Sequence, residues 1–208
     1  NIYHDNAKKF ETTATGISIT GAFTATAAST ITTADNSDTL TLISTDADQN
    51  QGPVLDFYRN SSSPADNDGI GQINFTGRND NSQDVVYGQL LVTAQDVSDG
   101  TEDSVVTFST MKAGSLVEQF GFNATEAVFN NQSNDIDFRV ESNGNTNMLF
   151  VDGGNDHVNI GTSSDLGGVL NVNGQTVITT ADNTDTLTLK STDADAEQGP
   201  VLRLTRDS

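Results

Sequence analysis

An all-β fold is predicted from three observations. Apolar and polar residues alternate with a period of two in VLDFYR, GQINFTG, VVYGQLLVTAQ, VVTFST, IDFRV and HVNIG, segments rich in Val, Ile, Thr and Phe. Between these segments stand Asp68-Gly69, Asp99-Gly100, Asn143-Gly144, Asp152-Gly153 and Asn173-Gly174, dipeptides that accept the positive φ of tight hairpins. Consecutive strands are therefore expected to run mostly antiparallel. No stretch of helical length carries an apolar stripe, and the nearest candidate, DNAKKFETTA, is short and Thr-heavy.

Taken in order, the chain opens on a strand, a polar turn and a second strand in NIYHDNAKKFETTATG, followed by TGISITG, a short alternating strand closed by glycine. A segment beginning at Ile31, ITTADNSDTLTLISTDADQNQGPVL, then nearly recurs at Ile178 as ITTADNTDTLTLKSTDADAEQGPVL, 147 residues later. Roughly three-quarters of the paired positions are identical, and the differences fall mainly on one strand face. Leu40 and Leu42 match Leu187 and Leu189 while Ile43 becomes Lys190; Leu55 and Phe57 match Leu202 and Leu204 while Asp56 and Tyr58 become Arg203 and Thr205. Gly52-Pro53 matches Gly199-Pro200, as expected of a turn that Pro presets and Gly permits. The same unit is thus built twice.

Before the second copy, NMLFVDGGNDHVNIGTSS and GGVLNVNG rhyme with the opening segment. The predicted organisation is a β stem or connector over 1–30, a globular β module over 31–130, a second stem over 131–177 and a truncated second module over 178–208. The start at Asn1 and the stop inside the second copy read as a piece of a longer polypeptide. The stem over 131–177 offers few apolar residues, among them Ile136, Phe138, Val140, Leu149, Val158 and Ile160, too few for a core of its own. Association of identical chains, which would share such rows and hide strand edges, answers that shortage.

Composition narrows the function. Of 208 residues only 34% are hydrophobic, Trp is absent and Cys is absent, which excludes a disulfide framework and any cysteine-based zinc site. With 29 acidic against 9 basic residues the formal net charge is -20, which repels phosphate backbones and acidic lipid; no nucleic acid and no membrane partner is expected. No apolar run approaches the roughly 18 residues that cross a bilayer, and no signal peptide is visible. The acidity reads as a solvated surface that keeps an extended assembly soluble.

Chemistry-bearing motifs are few. His4 and His157 stand in polar turns without the partner pattern of a triad, and read as surface turn residues; the alternative for His157 is a metal shared by symmetry mates. In STDAD, Asp46 and Asp48 recur as Asp193 and Asp195, an alternation of carboxylates that suits calcium; the twelve-residue loop closing on a bidentate Glu is missing, and a plain turn is the preferred reading. The glycines from Gly69 to Gly71 and the DGGND turn lack the Lys and helix of a phosphate cradle. Sequons at Asn60, Asn74, Asn123 and Asn131 are what such a composition yields by chance. No catalytic, cofactor-binding or metal residue is assigned, and no enzyme activity is expected. Any receptor contact would fall on outward residues of the module, such as Tyr58, Tyr87, Gln89 and Leu91, or on the loops 79–84 and 96–103.

NIYHDNAKKFETTATGISITG, FRVESNGNTNMLFVDGGNDHVNIGT and ITTADNTDTLTLKSTDAD resemble the repeat language of tail fibre proteins of tailed bacteriophages, particularly those of marine hosts, over nearly the whole chain. VDGGNDHVNIGT is similar to that family's recurring VDGGNDRVGIGT, with Asn159 where glycine is usual and TSSDLGG in place of the usual following proline. The resemblance implies an elongated, parallel homotrimeric virion fibre in which β-sandwich-like modules alternate with slender stems. It implies a structural and adhesive role: positioning a receptor-binding tip for host attachment, with other virion proteins as partners and a host-surface glycan or receptor bound elsewhere on the chain. A capsid fibre or decoration protein and a bacterial extracellular filament adhesin are the alternatives.

Overall fold

A computed structural model describes residues 2–180, 186–190, 192, 202 and 204. Within them the fold is all-β: twelve strands in three sheets, with no helix. The repeat's second turn, with Asp193 and Asp195, lies outside the described residues. The chain divides into two compact units, Asn1–Asp56 and Phe57–Ser208.

The first unit holds a three-stranded meander of β1 (Ile2–His4), β2 (Ala7–Thr12) and β3 (Ile17–Ile19). Its first hairpin is tight because Asp5 and Asn6 both take positive φ, 49° and 57°, as a two-residue type I′ loop requires. Ile2, Phe10 and Ile19 pair across the three strands and form its apolar row.

The second unit contains a five-stranded antiparallel meander in sequence order: β4 (Asp68–Arg78), β5 (Asp84–Asp96), β6 (Asp103–Lys112), β7 (Ser115–Phe122) and β8 (Ala127–Phe129). GQINFTG, VVYGQLLVTAQ and VVTFST form β4, β5 and β6 as their alternation predicts. Its loops are closed by side chains. Asn79 Oδ1 accepts the N–H groups of Asn81 and Gln83, which turns the chain from β4 into β5. Asp96 accepts from the Ser98 N–H at 2.7 Å, turning β5 into β6, and the side-chain and backbone hydrogen bonds of Ser98 hold its carboxyl below the usual carboxylate range.

The β6–β7 hairpin turns on Ala113-Gly114, with φ of 49° and 86° between the paired Lys112 and Ser115. An alanine in the left-handed region is strained, because its Cβ crowds the following carbonyl. Ala113→Asn is therefore expected to stabilise the protein by about 1 kcal/mol, read as a higher urea midpoint at unchanged slope.

The remaining strands form a second sheet in the order β12-β11-β10-β9, from β9 (Phe138–Val140), β10 (Leu149–Asp152), β11 (His157–Ile160) and β12 (Leu170–Val172). Three of its strands are antiparallel neighbours, but β12 runs parallel to β11. The connecting segment turns at Gly161 and Gly167, whose φ values of 79° and 90° favour glycine.

Three expectations need correction. VLDFYR and the Leu40–Leu42 segment are not strands; described residues 20–67 contain none, because an extended segment needs a ladder partner and these have none among the described residues. Asp68-Gly69 is not a hairpin turn but opens β4, where the register shifts between Gly69 and Gly71 as a bulge. His4 and His157 do not sit in turns: His4 ends β1 and His157 begins β11.

Candidate functional site

The pairing register sorts the side chains of the long sheet onto two unlike faces. Directly opposed residues share a face, so Ile73, Leu90, Phe108, Phe120 and Phe129 make one continuous row across all five strands. The flanking row is Gly71, Val92, Val106, Phe122 and Ala127, and on the other side lie Phe75, Gly88, Thr110 and Val117. None of these positions is ionisable. The opposite face carries Asn74, Gln89, Ser109 and Glu118, with the Gln89 amide donating to Asn74 Oδ1 at 3.0 Å.

An apolar face of this extent is normally covered by a second layer. Here it is open: Phe75 remains 65% exposed, Phe108 45% and Phe129 50%. Among the described residues the only buried hydrophobics are Val117 and Phe150. One corner is closed by the chain itself, where Phe57 lies over the bare backbone of Gly71, so close that a Cβ there would stand 2.8 Å from the Phe57 Cβ. Beside it Arg59 reaches the edge strand, donating to the Gly69 carbonyl at 2.9 Å and pairing with Asp68 at 2.9 Å, which blunts that edge.

The apolar row carries over into the four-stranded sheet. The ring of Phe129 stacks on Phe120 at 4.3 Å and packs on Phe138 at 4.6 Å, the first residue of β9. From Phe138 the register continues through Val151 and Val158 to Leu170, and the parallel row is Val140, Leu149, Ile160 and Val172. The apolar residues singled out in the stem thus share one face, Ile136 excepted, which precedes β9. That face is also uncovered, with Ile160 42% exposed.

The other face of this sheet is mixed and partly closed, with the buried Phe150 in one row with Arg139, Asn159 and Asn171. Asn159 is fully buried and Asn171 is 4% exposed; they oppose one another across the parallel pair, and Asn171 Nδ2 donates to Asn159 Oδ1 at 2.6 Å. Asn171 Oδ1 accepts from the Gly168 N–H, fastening the β11–β12 connection, while Asn159 Nδ2 has no partner. His157 lies on the same side, its Nδ1 3.2 Å from Asp165 Oδ1 but outside hydrogen-bonding alignment. In the neighbouring turn Asp152 takes the N–H groups of Gly154 and Asn155 and the Asn155 amide, the last of which is the main cause that lowers its pKa.

The positions considered for chemistry are not brought together. Asp46 and Asp48 form successive local turns, Asp48 N–H donating to Asp46 and Asn50 binding Asp48 through its N–H and its amide, so their oxygens face their own backbone. No group of three or more His, Asp or Glu side chains is placed to hold a metal among the described residues. Gln89 and Leu91 share the polar face, whereas Tyr87 stands in the register shift between β4 and β5, its ring 3.3 Å from where a Cβ on Gly77 would stand, on the side of Ile73 and Phe75, and Tyr58 lies in no strand and is 77% exposed. Asn74 and Asn123 are engaged in the fold, Asn74 by Gln89 and Asn123 as acceptor for Thr125 and Glu126. The buried Asn159–Asn171 pair escaped sequence reasoning, and the signal available was Asn159 standing where the resembled motif carries glycine.

No protein-family model matches the chain, and no curated protein matches it.

Proposed function

We propose that the chain is a segment of the shaft of a bacteriophage virion fibre, built as a parallel homotrimer of β modules and slender stems, whose work is to hold a receptor-binding tip away from the particle. The observation that carries this reading is the pair of uncovered apolar faces in a chain with almost no core of its own. Neighbouring chains would supply the missing layer to each sheet, making the modules sandwich-like and the stems stable only in company. A fibre needs length, rigidity and multivalency rather than a reactive centre, and the scattered carboxylates and histidines fit that role. The resemblance of the repeats to phage tail fibres supplies the virion and the host-attachment context.

The context is tested by the genes that flank the coding sequence. Neighbours encoding a tail tube or baseplate are expected; a capsid gene alone would move the fibre to the head. An upstream secretion signal with a neighbouring wall anchor would overturn the virion assignment in favour of a bacterial filament adhesin.

A further inference from the structure

We infer that copies of this chain meet on the apolar face that runs from Ile73 through Phe108 and Phe129 to Phe138 and Leu170, leaving the face with Asn74, Gln89 and Ser109 turned outward. The inference rests on the shaft reading and adds to it the surface and its polarity.

Two observations select a second copy as the occupant. The first is electrostatic. With 29 acidic and 9 basic residues, two copies brought together on most surfaces would press like charges into a low-dielectric contact. The three central rows of the long sheet contain no ionisable side chain. Copies can pack there without desolvating a carboxylate, and every methyl and ring they cover contributes to association.

The second is the repetition of the open face within one unit, with Phe75 65% exposed on the long sheet and Leu170 63% exposed on the four-stranded one. Both sheets of the second unit leave a continuous apolar face uncovered and carry polar residues on the other. A copy of the same chain brings the same two faces at the same spacing along the sequence, which an unrelated partner would have to match twice.

The chain has no cysteine, so single thiols report the surface directly. Asn74→Cys and Phe75→Cys place a thiol on opposite faces of one edge strand, and Phe108→Cys repeats the apolar-face probe at the sheet centre. In the assembled full chain, maleimide labelling of F75C and F108C is expected to be at least about tenfold slower than that of N74C, with all three equal in denaturant. Should F108C fail to fold, F75C at the more exposed edge position decides alone. Equal labelling of F75C and N74C in a multi-chain particle would overturn this inference and leave the shaft reading standing. A particle that is monomeric at every concentration would overturn both.

Discussion

Gly153→Ala is expected to destabilise the protein by roughly 2–3 kcal/mol. A Cβ at Gly153 would stand 2.4 Å from the Ile136 carbonyl oxygen and 3.0 Å from its carbonyl carbon and nitrogen. Those atoms are backbone, so no rotamer change relieves the contact; the segment before β9 or the β10–β11 turn has to move. Movement also breaks the hydrogen bond from the Gly153 N–H to Asp137 Oδ1. Gly144→Ala is the matched control, since nothing lies within 4 Å of its added methyl. Urea unfolding at one fixed protein concentration should separate the two, with Gly144→Ala within about 0.5 kcal/mol of the parent. Equal midpoints would mean that the Ile136 backbone does not close over the turn.

Truncating one member of the buried asparagine pair should cost nearly as much. In Asn171→Ala, Asn159 loses the donor to its Oδ1 and is left in a fully buried site with neither end of its amide paired, and the Gly168 N–H loses its acceptor. An unsatisfied buried polar group costs about 1–3 kcal/mol, so a loss of about 2 kcal/mol is expected. Replacing both residues by leucine, close in volume and without polar atoms, should recover much of that loss, because it removes the orphaned groups rather than stranding them. In a cycle of Asn159→Leu, Asn171→Leu and the double leucine variant, the losses should therefore be strongly non-additive, with the double variant more stable than the sum of its singles. Additive losses would show that the two amides act independently.

What could be read from the sequence depended on whether a strand finds its partner nearby. The segments of β4, β5 and β6 lie next to one another in the chain, so their alternation gave the strands, and Gln89 and Leu91 share the polar side; the register shift at Tyr87 turns that residue toward Gly77 on the other face, which alternation does not announce. VLDFYR has the same alternation but no strand to pair with among the described residues, and periodicity alone cannot reveal that. Turn chemistry misled twice for opposite reasons. Asp68-Gly69 has favourable turn residues yet starts a bulged strand, where the second glycine makes room for Phe57. Ala113-Gly114 turns the β6–β7 hairpin with an unfavourable residue, which no propensity would nominate.

The site was legible in part. Phe138, Val140, Leu149, Val158 and Ile160 were recognisable as an apolar set too small for a core, and the register places them on one open face. The Asn159–Asn171 pair was not recognisable, because it depends on the parallel pairing of β11 and β12, which turn signals between antiparallel strands do not announce. The aromatic continuity from Phe120 through Phe129 to Phe138 likewise depends on the way β8 leads into β9.

The central claim, that the apolar faces are completed by other copies of the chain, is tested most directly by the mass of the soluble protein in light scattering across a dilution series, with and without a calcium chelator. The expected result is a particle of about three times the 22.0 kDa chain mass that survives both dilution and chelation. A particle that dissociates only with chelator would keep the assembly but make the Asp46 and Asp48 turns calcium sites. A folded monomer at every concentration would contradict the claim.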